Sequence, residues 1–407
     1  MTGSVPTPGP GGRAMGTPGP GGRAMGTPGP GGRAMGTPGP GGRAMGIGIA
    51  GRIPRLQELL PGAGCDGLVV SGLSNIRYLT GFTGSAAIVL VTVDEAVMVT
   101  DGRYDSQSAE ELGSAGVPAR IEVGLPPVQE RVLAETATGL GRIGLEAGSV
   151  SWARQRHLAA DVFGQAELVA TEGLVEGLRL VKDEDELAAM QTAAAIADAA
   201  LARIRPQLVA GMAEIEVANM LDFEMRALGA ARPSFETIVA AGPNGAKPHA
   251  RPSRRLLERG ELVVMDFGAV FDGYCSDMTR TLCLGEPASP TLARMVEVVR
   301  ASQAAGVTSV RAGVVASQVD SACRTVIAEA GWSDAFVHGT GHGVGLDIHE
   351  GPRVGPTSDD TLTVNSVITV EPGVYLPDHG GVRIEDTVVV TAEGCRVLTA
   401  SPKDLMV

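Results

Sequence analysis

Cysteine is sparse in this chain and shows no pairing pattern. Cys65, Cys275, Cys283, Cys323 and Cys395 are odd in number, and no two stand at CxxC spacing. A disulfide framework and a thiolate zinc site are therefore both excluded. What remains is reduced, mostly buried thiols, the pattern of a cytoplasmic protein. Basic residues are in deficit: 33 Lys+Arg face 46 Asp+Glu, a net charge of −13. No basic footprint exists for nucleic acid, so none is expected as a partner. An acidic balance suits an enzyme, or one that collects divalent cations. No apolar run approaches the length of a membrane span, and no charged segment followed by an apolar stretch opens the chain. The expectation is a cytoplasmic protein with no membrane partner.

What is present begins with a repeat. The decapeptide TPGPGGRAMG occurs four times in succession over residues 7–46. A unit of Gly and Pro with almost no apolar side chain cannot bury a face, and it lacks the strict Gly-X-Y period of collagen. Residues 1–46 are expected to be a disordered extension. Arg13, Arg23, Arg33 and Arg43 leave open a tether or a weak anion binder. The segment holds four of the arginines and no acid, so the remaining 361 residues carry 29 bases against 46 acids, net −17.

Residues 47–178 read as a first α/β domain. Strands are expected at 68–70, 86–91 and 96–100, with Gly72, Gly81, Gly84 and Gly102 as turns and a helix over 128–138. The pattern changes near 178. Leu187, Met190, Ala194 and Leu201 recur at helical spacing, and Asp183 to Glu186 place acids in the first turn of a long helix over 182–205. A second helix over 213–228 ends at Gly229. From Glu261 the pattern becomes strands, with two helices at 291–305 and 316–330 and strands again at 366–371 and 382–391. Residues 179–407 are thus expected to form an α+β domain, an antiparallel sheet with helices packed over it.

Three clusters in this second domain carry chemistry. The first lies on a hairpin. Asp272-Gly273 between 262–271 and 274–284 is a strong type I′ signal. With those two residues as the loop, Phe271 faces Tyr274 and Asp266 faces Thr279. Asp277 then falls on the same face as Asp266, roughly 7–8 Å away along the diagonal. Carboxylates at that spacing can share two metal ions roughly 3.5–4 Å apart. Facing inward, they would repel unless protonated or bound to cations. The second cluster is HGTGHGVGLDIHE at 338–350, where three of the chain's six histidines fall within twelve residues. Its glycines let backbone approach a ligand closely, and it fits neither the zincin nor the dinucleotide motif. The third is Glu371-Pro-Gly followed by Arg383-Ile-Glu385. Arg383 and Glu385 stand at i and i+2, on one face of a strand; alone they would read as an ordinary salt bridge, but beside the other acids Glu385 can bridge metals while Arg383 holds it or a substrate carboxylate. Together the clusters offer four carboxylates and an imidazole. Their charge of −4 matches two divalent cations, and oxygen-rich ligation favours Mn²⁺ first, with Co²⁺ or Zn²⁺ as options.

In order and spacing, Asp266, Asp277, His342, Glu371 and Glu385 resemble the five ligands of the pita-bread metallopeptidases. VVMDFGAVFDGYCSDMTRT, HGTGHGVGLDIHE, EPGVY and GVRIED look like the aminopeptidase P and prolidase branch of that superfamily. NIRYLTGFTGS and TDGRY look like its creatinase-type N-terminal domain, and LRLVKDEDELAAM like the helix joining the two. The resemblance implies a pita-bread catalytic domain behind a smaller α/β creatinase-like domain. It also implies hydrolysis of Xaa-Pro bonds in dipeptides or short peptides by a metal-bridging hydroxide, and a homodimer. Asp277 and Glu385 would bridge the ions, Asp266 would chelate one, and His342 and Glu371 the other. Glu371 would shuttle a proton, His249 and His349 would donate to the oxyanion or orient the substrate, and His338 and Arg383 would position it. A hydrolase or lyase acting on a small non-peptide on the same scaffold is the alternative, ahead of a binding module that has kept the fold. Dipeptidase and aminopeptidase stay unresolved.

Overall fold

The computed structural model describes residues 48–406; the repeat segment expected to be disordered lies outside them. Residues 48–179 build a six-stranded sheet in the order Arg120–Val123, Ala96–Thr100, Ala87–Thr92, Gly67–Val70, Arg142–Glu146, Glu167–Thr171. Its three central strands run antiparallel and the outer pairs parallel. Successive side chains enter opposite cores. Leu68, Val70 and Met98 join one apolar cluster, and Val69, Val97 and Val99 the other. A sheet covered on both faces needs nearly continuous apolar strands, which is why these were visible as short runs. Between Gly72 and Gly81, both expected as turns, lies the helix Leu73–Thr80, closed by Gly81 at φ 73°. Gly72 caps its start and Gly81 its end, so the two glycines punctuate a helix rather than a loop.

The second region repeats one plan twice. Helices Glu184–Ile204 and Glu214–Ala227 cover a sheet of Ile238–Ala241, Leu262–Phe267 and Met278–Cys283, and share one core with it. Helices Pro290–Ser309 and Ala316–Glu329 share a second core with the strands Val367–Val370, Gly373–Leu376, Gly380–Arg383 and Asp386–Val390. Glu184–Ile204 starts on a capping box in which Asp183 and Glu186 satisfy each other's backbone N–H groups. By length and composition, Glu184–Gln207 also reaches the range of a membrane span. Its Leu187, Met190, Ala194, Ala197 and Leu201 are buried inside the protein instead.

The hairpin takes the expected register: Phe271 pairs with Tyr274 and Asp266 with Thr279. Asp272 and Gly273 have φ of 45° and 78°, as a type I′ turn demands. The strands differ from expectation in being broken at Gly268 and again at Ser276–Asp277, and the single expected sheet divides into several short ones. The cause is local. Ser276 Oγ accepts from Ala269 N at 2.9 Å, and Ser234 Oγ donates to Ser276 O at 2.8 Å. Side chains thus take the place of ladder bonds and release Asp277 from the strand. Gly268 is pressed against this break, where a Cβ would overlap the Ser276 carbonyl oxygen and the Ser234 hydroxyl.

The two halves meet through threonines. Thr281 Oγ1 donates to Arg383 O at 2.8 Å and accepts from Arg383 N at 3.1 Å, while Glu385 N donates to Thr279 O at 3.1 Å. The first region is tied in by Arg52, whose buried guanidinium donates to Tyr78 O at 2.9 Å and Asp183 Oδ2 at 2.8 Å. Gly268→Ala is expected to cost about 1–3 kcal/mol, the usual price of overpacking. Urea denaturation would show it, and an unchanged midpoint would mean that the break at Ser276 yields freely.

Candidate metal centre

The break at Ser276 brings acids together. Asp266 near the end of Leu262–Phe267, Asp277 ahead of Met278–Cys283, and Glu385 between Gly380–Arg383 and Asp386–Val390 each offer a carboxylate oxygen, and these lie within 4.8 Å of one another. From the second half come His342 on Gly341–Gly343 and Glu371 directly after Val367–Val370. His342 Nε2 stands 3.6 Å from Asp277 Oδ2 and 3.4 Å from Glu371 Oε1. All five residues given as ligands by resemblance therefore converge.

Their electrostatics call for protons or cations. Burial, then the charges of Glu385, Asp266 and Glu371, push the Asp277 carboxyl well above its ordinary range. Burial with Glu371 and Asp266 does the same to Glu385. Burial lifts Glu371 to about 8, with Arg383 opposing. His342 is pulled down to about 4, chiefly by burial. Its Nδ1 lies 2.9 Å from Gly343 O and must carry the proton there, so the Nε2 lone pair faces two carboxylates. Asp266 Oδ1 and Glu385 Oε1 are buried without any hydrogen-bond partner. Orphaned acceptors of this kind are costly in a protein interior. Four carboxylates and an imidazole, with two oxygens that find no donor among the described residues, fit divalent metal ions.

Arg383 organises the surroundings. Its guanidinium is buried and commits its donors to the protein: Asp266 Oδ2 at 2.5 Å, Tyr375 Oη at 2.8 Å, Thr279 Oγ1 at 3.1 Å and Pro248 O at 3.1 Å. It thus holds Asp266, rather than Glu385. Tyr375 Oη accepts from Arg383 and lies 2.8 Å from His338 Nε2; His338 Nδ1 is 2.8 Å from Gly339 O. With the Nδ1 proton on that carbonyl, Tyr375 donates to Nε2, and a relay runs from Arg383 through Tyr375 to His338. Burial, aided by Arg383, lowers His338 to about 4, so the ring is neutral.

Several supports were not singled out from the sequence. Thr279 Oγ1 donates to Glu385 Oε2 at 2.7 Å. Thr369 Oγ1 donates to Glu371 Oε1 at 3.2 Å and accepts from His342 N at 3.1 Å. Tyr375 sat inside the EPGVY motif with no role attached, and the threonines lie two residues from neighbouring acids, a spacing that by itself signals nothing. The centre forms the floor of a cleft of about 740 Å³ whose wall includes His249, His338, His349, Arg353 and Glu371. His249 and His349 are exposed on that wall, and the His349 ring packs edge-on against His342 at 4.3 Å between centroids.

Comparison with known proteins agrees with this geometry. Residues 188–392 match the model of metallopeptidase family M24, and residues 52–181 that of the creatinase/prolidase N-terminal domain. The chain belongs to metallopeptidase family M24, with a creatinase-type domain ahead of a pita-bread domain. It is 40% identical to the uncharacterized peptidase YqhT of Bacillus subtilis (strain 168), over 88% of this chain and 99% of that one. It is 32% identical to a Xaa-Pro dipeptidase of Pyrococcus furiosus, over 87% and 99%. Among solved structures, a Xaa-Pro dipeptidase from Bacillus anthracis superposes with a TM-score of 0.84 at 39% identity, covering 88% of this chain and 100% of that one. An X-Pro aminopeptidase from Thermotoga maritima gives 0.79 at 35%, covering 87% and 100%.

The raised carboxyls link stability to pH. An acid whose folded pKa exceeds its unfolded value binds its proton more tightly when folded. Its contribution is complete below the unfolded value and lost as pH climbs through the folded one. Below about 6.5 the lowered imidazoles of His338 and His342 oppose this loss, so metal-free protein is expected to lose thermal stability chiefly as pH rises from about 6.5 through about 8, the upper bound set by Glu371. Saturating Mn²⁺ should abolish that loss and release protons on binding. Scanning calorimetry across pH, and titration calorimetry in two buffers, would read both effects; a flat metal-free profile would count against the buried acid cluster.

Proposed function

We propose that the chain is a dinuclear-metal-dependent peptidase that hydrolyses Xaa-Pro bonds of dipeptides or short peptides. Catalysis would reside in residues 179–407, behind a smaller α/β domain at 47–178. The observation that carries this reading is the convergence of five acceptor side chains, two with orphaned oxygens, on the floor of an open cleft walled by histidines. The names of the Bacillus, Pyrococcus and Thermotoga relatives support the Xaa-Pro specificity. So does chemistry: a Xaa-Pro bond has no N–H, so a peptidase that reads that group handles it poorly.

As the family resemblance implies, Asp277 and Glu385 would be held in common by two ions, Asp266 would hold one of them, and His342 with Glu371 the other. When bound, two divalent ions lower the pKa of a shared water toward neutrality and polarise the scissile carbonyl. Mn²⁺ is preferred for a set of four carboxylates and one imidazole. The protein's residues do the rest. Glu371, its Oε1 fixed by Thr369, carries a proton to the prolyl nitrogen as the bond breaks. His249 and His349, exposed on the wall, donate to the carbonyl oxygen as it takes up negative charge, or orient the substrate. Arg383 keeps Asp266 oriented and, through Tyr375, keeps the neutral His338 facing the cleft. Five free cysteines, four of them buried, support a reducing, cytoplasmic setting. A homodimer follows from the family resemblance.

The decisive assay loads the protein with Mn²⁺ and offers Ala-Pro, Ala-Pro-Ala and Ala-Ala side by side. Cleavage of Ala-Pro alone defines a dipeptidase, and efficient cleavage of Ala-Pro-Ala an aminopeptidase. No cleavage with two metals bound moves the substrate to a small non-peptide. Asp277→Asn is expected to lower turnover by orders of magnitude while the protein stays folded; a fully active variant ends the proposal.

A further inference from the structure

The stretch from His342 to Glu350 carries a proposed metal ligand at one end and a cleft-wall histidine, His349, near the other. Between them lie Val344 and Leu346, both buried in an apolar cluster that also contains Leu56, Ile76 and Leu79 of the first region. The Glu350 side chain turns back beneath its own loop, so that a Cβ on Gly345 would overlap Glu350 Oε1. Two cations from outside meet it there. Lys182 Nζ donates to Glu350 Oε1 at 2.7 Å, and Arg179 Nη2 donates to Glu350 Oε2 at 2.5 Å and to Asp347 Oδ2 at 2.7 Å. Arg179 ends helix Leu174–Arg179, and Lys182 lies on the connection from it to Glu184–Ile204. The side chains of Arg179, Lys182 and Glu350 are 4%, 1% and 7% exposed.

The first region completes the set. Arg179 Nη1 donates to Asn75 Oδ1 at 2.7 Å, and Asn75 Nδ2 donates to Glu146 Oε1 at 2.7 Å and Glu176 Oε1 at 2.6 Å. Ser74 Oγ donates to Asp347 Oδ1 at 2.5 Å. Burying two cations against the Glu350 carboxylate, with Asp347 half-exposed beside them, gains little net stability, because desolvation offsets the attraction. What such a set supplies is fixed geometry. Nothing in the proposed hydrolysis uses these charges directly, yet they grip the residue that follows His349.

We infer that Arg179 and Lys182 are positioning residues for the cleft. By holding Glu350 they set where His349 stands, and through Asn75 and Ser74 they tie that placement to the first region. The role of His349 in this inference rests on the peptidase reading above.

The test uses the full-length, Mn²⁺-loaded protein. Lys182→Met and Lys182→Arg are made alone and in a His349→Ala background, with Ala-Pro as substrate. Lys182→Met is expected to lower kcat roughly ten- to a hundredfold with little change in KM, the scale of a misplaced catalytic group. Lys182→Arg should restore most of it. In the His349→Ala background the same change should cost less than about twofold, because the residue it acts through is gone. Equal losses in both backgrounds overturn the assignment. Hydrogen exchange on the same proteins needs no substrate. Faster exchange over 343–350, with 262–283 unchanged, is expected in Lys182→Met, and unaltered exchange over 343–350 overturns the proposal. Wild-type protein that cleaves no peptide, but shows that exchange pattern in the variant, sinks the peptidase reading and leaves the clamp standing. Should Lys182→Met fail to fold, Ser74→Ala removes only the hydroxyl on Asp347 and should give the same exchange pattern at smaller amplitude.

Discussion

Four carboxylates brought face to face inside a protein repel one another, and burial sharpens the repulsion by removing the water that would screen it. The whole second region is arranged around that repulsion. Asp266, Asp277 and Glu385 meet within 4.8 Å, Glu371 joins them across His342, and among the described residues the only cation bonded to these acids is Arg383, which holds Asp266. A single guanidinium cannot neutralise four acids. The donor set is therefore a specification for divalent metal, and everything around it keeps the acids from relaxing apart.

That restraint is divided between the two halves. A hairpin whose loop fixes its register places Asp266 opposite Thr279, and Thr279 in turn reaches Glu385 in the other half. Ser276 breaks the ladder just where Asp277 must leave it. On the far side, Thr369 steadies both Glu371 and the backbone of His342. Asp266, Glu371, Glu385 and His342 thus each have a neutral hydroxyl, a guanidinium or a backbone carbonyl on the side chain, while Asp277 is held through its backbone carbonyl, which accepts from Thr387 Oγ1 at 2.8 Å.

The hairpin was legible in the sequence because a two-residue Asp-Gly loop admits one register, and a period of two then decides which residues share a face. The long helix was legible for a like reason, since Asp183 to Glu186 announce its start and the apolar positions repeat. Leu73–Thr80 was not, because eight residues between two glycines carry too little periodicity to outweigh the glycines. The supporting side chains were hidden for a different reason. Tyr375, Thr279 and Thr369 act through partners on other strands, and no local pattern encodes those pairings. Arg383 shows the limit within a motif: its spacing to Glu385 suggested that it holds that residue or the substrate, while in the fold its donors go to Asp266, Tyr375, Thr279 and Pro248.

The seam between the halves has a kinetic side. Asp266 and Asp277 belong to one helix-covered sheet, His342 and Glu371 to the other, and Glu385 stands at the crossing. An ion shared across that seam works as a cross-link whose lifetime is its own dissociation time. The halves cannot part while it stays, so the rate at which metal leaves, more than the strength of either apolar core, would govern how often the interior opens to solvent and to proteases.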